Sequence, residues 1–250
     1  MKMVTRKITC AGSPRGGRRL TGLSPDQYLE GKQKLSLVWE RLQGQYQVPE
    51  RPDGPLLDGL IRVLLSQNTT DANSEAAFLK LKDRFPNWEE VERASPGEVE
   101  EAIRPAGISR VRASRIKEIL GALRKEMGAL DLEFLRDRTP GDALEFLLGL
   151  PGIGIKSASV LLLFYLDYPF FPVDTHVYRV GQRTGLIPTL LDVQKAHLYM
   201  NQLVPGEIMY PLHMLLVMHG RGTCQARRPR CGDCVLEDVC DKVMVGGGAE

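Results

Sequence analysis

The chain has no long apolar run. The longest, Val160 to Leu166, falls far short of the roughly 20 residues that a membrane helix requires and reads as a buried core helix. No segment alternates apolar and polar residues convincingly, and no Asn-Gly hairpin appears, which argues against a β architecture. Aromatics are sparse at 6%, yet 43% hydrophobic and 26% charged residues are globular values. No signal-peptide stretch follows Met1. Only five cysteines occur, four of them clustered; a secreted disulfide framework would leave most of the 250 residues unstapled, so a reducing compartment is expected.

Charge of one sign is missing locally rather than overall. The net charge of +2 argues only weakly for a polyanionic partner. Residues 1 to 25, 102 to 117 and 221 to 230 contain no acid, yet hold fifteen of the 33 basic residues. Such windows predict either a basic face that follows a phosphate backbone or three unrelated solvated patches. Residues 1–24 read as a basic, flexible arm.

Helix-start signals recur. Ser24-Pro25, Thr70-Asp71, Ser95-Pro96 and Thr139-Pro140 each place an N-cap hydroxyl ahead of a proline or an acid. They predict helices running to about Gln43, Phe85, Arg104 and Leu148, and an all-α fold. An internal echo also stands out: Gly107-Ile108 and Ala113-Ser114 reappear 45 residues later as Gly152-Ile153 and Ala158-Ser159. Either a turn-and-helix unit is repeated, or two short stretches of small residues coincide.

Leu150 to Ala158, LPGIGIKSA, predicts a helix ending at Gly149, a tight turn, and a new helix from about Ile155. Gly152 and Gly154 carry no Cβ to keep a ligand away, so a phosphate can reach free N–H groups at a helix N-terminus. Ile153 and Ile155 would staple the turn. Lys156 lies in the first turn of the new helix, where the macrodipole disfavours an ammonium. It is either a phosphate binder or a nucleophile, since the neutral amine is the form that attacks a carbonyl-like carbon. Asp174, in the segment VDTHVYR, reads as an N-cap. Only 18 residues separate it from Lys156, and a carboxylate and a lysine facing one cleft would suit a reaction that builds positive charge on a sugar. Cys224, Cys231, Cys234 and Cys240, spaced C-x6-C-x2-C-x5-C, predict a metal site. Both zinc and iron–sulfur accept four cysteines, and the lopsided spacing suits a compact cluster better. Arg227, Arg228 and Arg230 lie in the loop that this metal would staple, and Cys10 lies outside it.

LPGIGIKSA, VDTHVYR and HGRGTC…RRPRCGDC…EDVC, in that order, resemble the endonuclease III branch of the helix-hairpin-helix DNA glycosylases, over roughly Ser36 to Asp241. The resemblance implies two helical domains: a six-helix barrel over 49–167 carrying the hairpin, and a cluster domain formed by 25–48 and 168–250. It also implies a 4Fe-4S cluster on the four cysteines and duplex DNA with damaged bases or abasic sites lying in the cleft. Lys156 matches the family nucleophile and Asp174 the family carboxylate. Ile108 matches a wedge residue, and the segment Leu64 to Asp71 matches the one that fills the gap left by a flipped base. Within it, Asn68 stands where the family's glutamine is usual and Gln67 stands one place earlier. Ile155 replaces a common basic residue, and Gly222 a common aromatic. The activity implied is removal of oxidised pyrimidines with AP-lyase nicking, by a monomer in a cytoplasmic, nucleoid-associated setting. The alternatives are a monofunctional mismatch or adenine-type glycosylase, and a non-catalytic metal-stapled DNA-binding protein.

Overall fold

The computed structural model describes residues 22–245. Most of the basic arm, and Cys10, lie outside them. Eleven α-helices and four short 3-10 turns make up the regular structure among the described residues, with no strand. The helices are α1 (Pro25–Gln45), α2 (Leu56–Ser66), α3 (Asp71–Arg84), α4 (Trp88–Arg93), α5 (Pro96–Ala102), α6 (Ser109–Met127), α7 (Pro140–Gly149), α8 (Ile155–Leu166), α9 (Thr175–Thr184), α10 (Val193–Leu203) and α11 (Met209–Gly222).

Local chemistry sets the starts. The Ser24 and Ser95 hydroxyls each accept from the third backbone N–H of their helix, and Gln27 and Glu98 reach back to close a capping box. Thr70 and Thr139 accept from the third N–H of α3 and α7, without the reciprocal half of the box. Removing such a cap typically costs about 1 kcal/mol.

The buried apolar side chains form two clusters. One is built from α2 to α7 and the start of α8, with Leu60, Ile61, Leu81, Ile116, Leu120 and Leu147 at its centre. The other joins α1 to α9, α10 and α11 through Val38, Leu42, Phe171, Val180, Tyr199 and Leu212. Helix α8 belongs to both: Ala158, Leu161 and Leu162 face the first cluster, whereas Leu163 is buried in the second. The same helix carries Lys156 at its N-terminal end.

No helix among the described residues is long and apolar enough to cross a membrane.

Candidate active site and metal centre

Helix α7 ends at Gly149 and α8 opens at Ile155, so the predicted turn is present. Gly152 adopts φ +69°, a left-handed conformation that a side chain would strain. A Cβ there would also collide with the Arg115 guanidinium, which lies across the turn. Gly154 is the N-cap and offers no side-chain acceptor, which leaves the first-turn N–H groups of α8 open to an external anion. Both glycines are exposed. Ile153 is buried and Ile155 half-buried, so the two isoleucines hold the turn in place while the backbone stays accessible.

Lys156 is the second residue of α8. It is half-buried and makes no hydrogen bond or ion pair among the described residues. Asp174 caps α9: its Oδ1 accepts from the Val177 N–H at 2.7 Å. His213 of α11, buried beside the segment that leads into α9, is a residue that sequence reasoning missed. Its Nδ1 lies 3.0 Å from the Pro172 carbonyl. Burial pushes its pKa down to about 4, with Asp174 opposing and Lys156 reinforcing the shift. The charges of Lys156 and Asp174 thus both act on this one imidazole. His197 of α10 braces the same segment, with Nδ1 3.3 Å from both the Phe171 carbonyl and the Val173 nitrogen. Burial lowers its pKa as well, and the nearby Lys156 charge adds to that shift. The one sequence signal for these two histidines is their place on the buried faces of amphipathic helices, which any packing residue shares.

Two loops project outward. Gly107 and Ile108 both take positive φ, +71° and +47°. A β-branched residue held left-handed is strained, and Ile108 is also 62% exposed. Gly107 and Gly152 thus share a positive φ, but the residues that follow diverge: Ile108 is exposed and Ile153 is buried. At the second loop, Gln67 ends α2 and its Nε2 donates to Ser157 Oγ at 3.1 Å. Asn68 is left-handed, at φ +52°, and exposed.

The basic windows are only partly free to meet a polyanion. Arg112 is buried and donates to the Ala106, Gly107 and Gln67 carbonyls. Lys117 donates to the Val91, Glu92 and Ala94 carbonyls at the end of α4. Arg221 is paired with Asp71 at 2.5 Å. Arg104, Arg110, Arg227 and Arg228 are exposed, and Arg230 is exposed while holding the Gly222 carbonyl at 2.9 Å.

The four cysteines are half-buried, unpaired in disulfides, and line one cavity. Donors point at three of the sulfurs: Arg183 Nη1 to Cys224 at 3.4 Å, the Leu236 N–H to Cys234 at 3.4 Å, and the Lys242 N–H to Cys240 at 3.4 Å. Burial pushes the Cys234 and Cys240 thiols up, which a bound metal would reverse. Among the described residues, no three ligand side chains converge as they would on a single ion. A cavity ringed by sulfurs with donors behind them fits a polynuclear cluster better than zinc, whose four sulfurs would sit only about 3.8 Å apart.

Residues 61–205 match the model of the HhH-GPD superfamily of base excision DNA repair proteins. The chain belongs to that superfamily. Residues 224–240 match the iron–sulfur binding domain of endonuclease III, in agreement with the sulfur-lined cavity, and the cofactor of this domain is a 4Fe-4S cluster. The chain is 34% identical to endonuclease III of Thermotoga maritima over 182 residues, covering 73% of itself and 81% of that relative. It is 40% identical over 172 residues to an Arabidopsis thaliana protein described provisionally as a DNA glycosylase, spanning 69% of itself and 59% of that relative. Its fold superimposes on a trapped endonuclease III–DNA covalent intermediate with a TM-score of 0.73 at 25% identity, covering 85% of this chain and 96% of the other.

Proposed function

We propose that this superfamily member is a DNA glycosylase with AP-lyase activity that removes oxidised pyrimidines from duplex DNA, acting as a monomer at the nucleoid. One observation carries the reading: a half-buried lysine with no partner of its own among the described residues stands in the first turn of the hairpin helix, whose glycine N-cap leaves the backbone N–H groups open. The relatives and the DNA-bound structural neighbour support DNA as the substrate.

In this reading the barrel comprises 49–167 and the cluster domain 25–48 with 168–250, and DNA lies between them. The hairpin amides of Gly152 to Lys156 hold the backbone, Arg227, Arg228 and Arg230 flank it, and Ile108 enters the stack as the damaged base is extruded. Lys156 Nζ bonds to the sugar C1′ as the C1′–base bond breaks, and the base leaves with a proton. The sugar ring then opens to an iminium, and loss of a C2′ proton expels the 3′ phosphate, nicking the strand. Asp174 stabilises the developing positive charge or takes the proton from Lys156. Cys224, Cys231, Cys234 and Cys240 would hold the 4Fe-4S cluster, which when bound staples the arginine loop.

Borohydride trapping tests the lyase step. The cluster-loaded protein is expected to form a covalent adduct with DNA carrying thymine glycol or an abasic site, and Lys156→Ala to form none. Absence of any adduct from cluster-loaded wild type on both substrates refutes the lyase. Base release without an adduct would mark a monofunctional enzyme, and binding without either, a DNA-clamping protein.

A further inference from the structure

We propose that Arg112 is a positioning residue that locks the Ile108 wedge, the gap-filling segment and the nucleophile's helix into one unit. The proposal rests on the functional reading above and deepens it.

Arg112 is 6% exposed, and among the described residues its hydrogen-bond partners are carbonyls rather than carboxylates. Burial lowers its pKa. A buried cation without an anion is costly unless it is hydrogen-bonded. Three of the five guanidinium N–H groups are spent on carbonyls: Nη1 donates to those of Ala106 and of Gly107, the latter at 2.8 Å, while Nη2 donates to that of Gln67. The first two carbonyls belong to the turn that holds Ile108 left-handed. The third belongs to the residue before Asn68. Gln67 in turn donates through Nε2 to Ser157 at 3.1 Å, and Ser157, itself buried, directly follows Lys156. One chain of hydrogen bonds thus runs from the wedge turn through Gln67 to the first turn of α8.

The internal echo reinforces the point. Arg112 and Ser157 are 45 residues apart, the offset that relates Gly107 to Gly152. Equivalent residues of the two turns therefore both bond Gln67, one at its carbonyl and one at its side-chain amide. A strained wedge keeps its conformation only where its surroundings over-determine it, and Arg112 is the side chain that supplies those bonds. The functional consequence is register: the wedge and the gap filler enter the duplex together, at a fixed offset from Lys156.

The test separates positioning from folding. A duplex carrying an unreactive tetrahydrofuran abasic analogue opposite 2-aminopurine reports extrusion and gap filling by stopped-flow fluorescence, without chemistry. Arg112→Lys keeps the charge, but its single ammonium ends one bond short of the two guanidinium nitrogens that reach the wedge turn and Gln67 separately. It is expected to slow the fluorescence change at least about tenfold, the equivalent of one charged hydrogen bond. It should also slow Lys156 adduct formation on duplex abasic DNA several times more than on single-stranded abasic DNA. In a cycle with Ile108→Ala, the two losses should be strongly non-additive, because Arg112 acts through Ile108. Additive losses, equal losses on both strands, or an unchanged extrusion rate would each overturn the proposal. Failure of wild type to form any adduct would sink the lyase instead, while the fluorescence signal would still decide the role of Arg112.

Discussion

Asp174 is given two roles, and substitution can separate them. As the N-cap of α9 it accepts one backbone hydrogen bond through Oδ1; as a catalytic carboxylate it acts through its charge. Asp174→Asn keeps an acceptor oxygen of the same shape, so the cap survives. Only the favourable charge at the helix N-terminus is lost, about 0.3–1 kcal/mol. Asp174→Ala removes the cap as well, adding about 1 kcal/mol. In a chain of this size each kcal/mol lowers the melting temperature by about 2–4 °C, so Asn should melt close to wild type and Ala several degrees lower. His213 does not complicate the comparison: Asp174 raises a pKa that burial has already driven to about 4, so without the carboxylate the ring stays neutral at pH 7. Activity should order differently from stability. Both variants lose the charge, and single-turnover adduct formation should fall by about 10²–10⁴-fold in each. The measurements are thermal denaturation by circular dichroism and borohydride-trapped adduct formation on abasic duplex. An Asn variant within about twofold of the wild-type rate, beside an Ala variant that loses activity only as far as it loses stability, would reduce Asp174 to a cap.

Three further perturbations have expected outcomes. Gly152→Ala forces a side chain into a left-handed conformation, costing about 1–2 kcal/mol, and displaces the Arg115 guanidinium; melting and salt-dependent duplex binding should both fall. Ile108→Asn relieves about 1 kcal/mol of backbone strain, since Asn tolerates this region, and gives up only the minor part of a side chain that is 62% exposed, so melting should change little while extrusion from duplex slows; a fall in melting temperature as large as that of a core substitution would contradict the strain. His213 is held at about 4 against an ordinary 6.5. The unfolded chain therefore binds more protons between those values, and the stability this residue contributes is complete above pH 6.5 and lost as pH falls toward 4. The loss amounts to at most about 3 kcal/mol. Denaturant titrations from pH 7 to 4 should show that slope, and His213→Asn should flatten it.

The features legible in the sequence are the ones fixed by neighbours along the chain. A capping hydroxyl and the amide it serves are three residues apart, so Ser24, Thr70, Ser95 and Thr139 each announce a helix that is present. Asn87 and Asp192 carry the same chemistry and open α4 and α10. The glycine hairpin and the cysteine loop are local in the same sense. The fate of a cation is not. Arg112 and Lys117 look, by charge, like parts of a phosphate-binding face, yet each is spent on carbonyls brought to it by tertiary packing. The buried histidines are hidden for the same reason: nothing in their own segments shows that Pro172 and Phe171 arrive beside them.

This division also explains how the site is held. Lys156 and Asp174 are joined by one helix, a short extended segment and one cap. The helix is anchored in both cores, by Leu161 and Leu162 on one side and Leu163 on the other. Groups mounted on rigid elements keep their geometry better than groups on loops, so Lys156 and Asp174 need little from the rest of the chain. Ile108 and Asn68 sit on loops, are exposed and are left-handed, and nothing along their own sequence holds them. They require a brace from outside. The bonds from Arg112 to the Gly107 and Gln67 carbonyls, and from Gln67 to Ser157, supply that brace, which is why a basic residue occupies a buried position where carbonyls rather than carboxylates meet it.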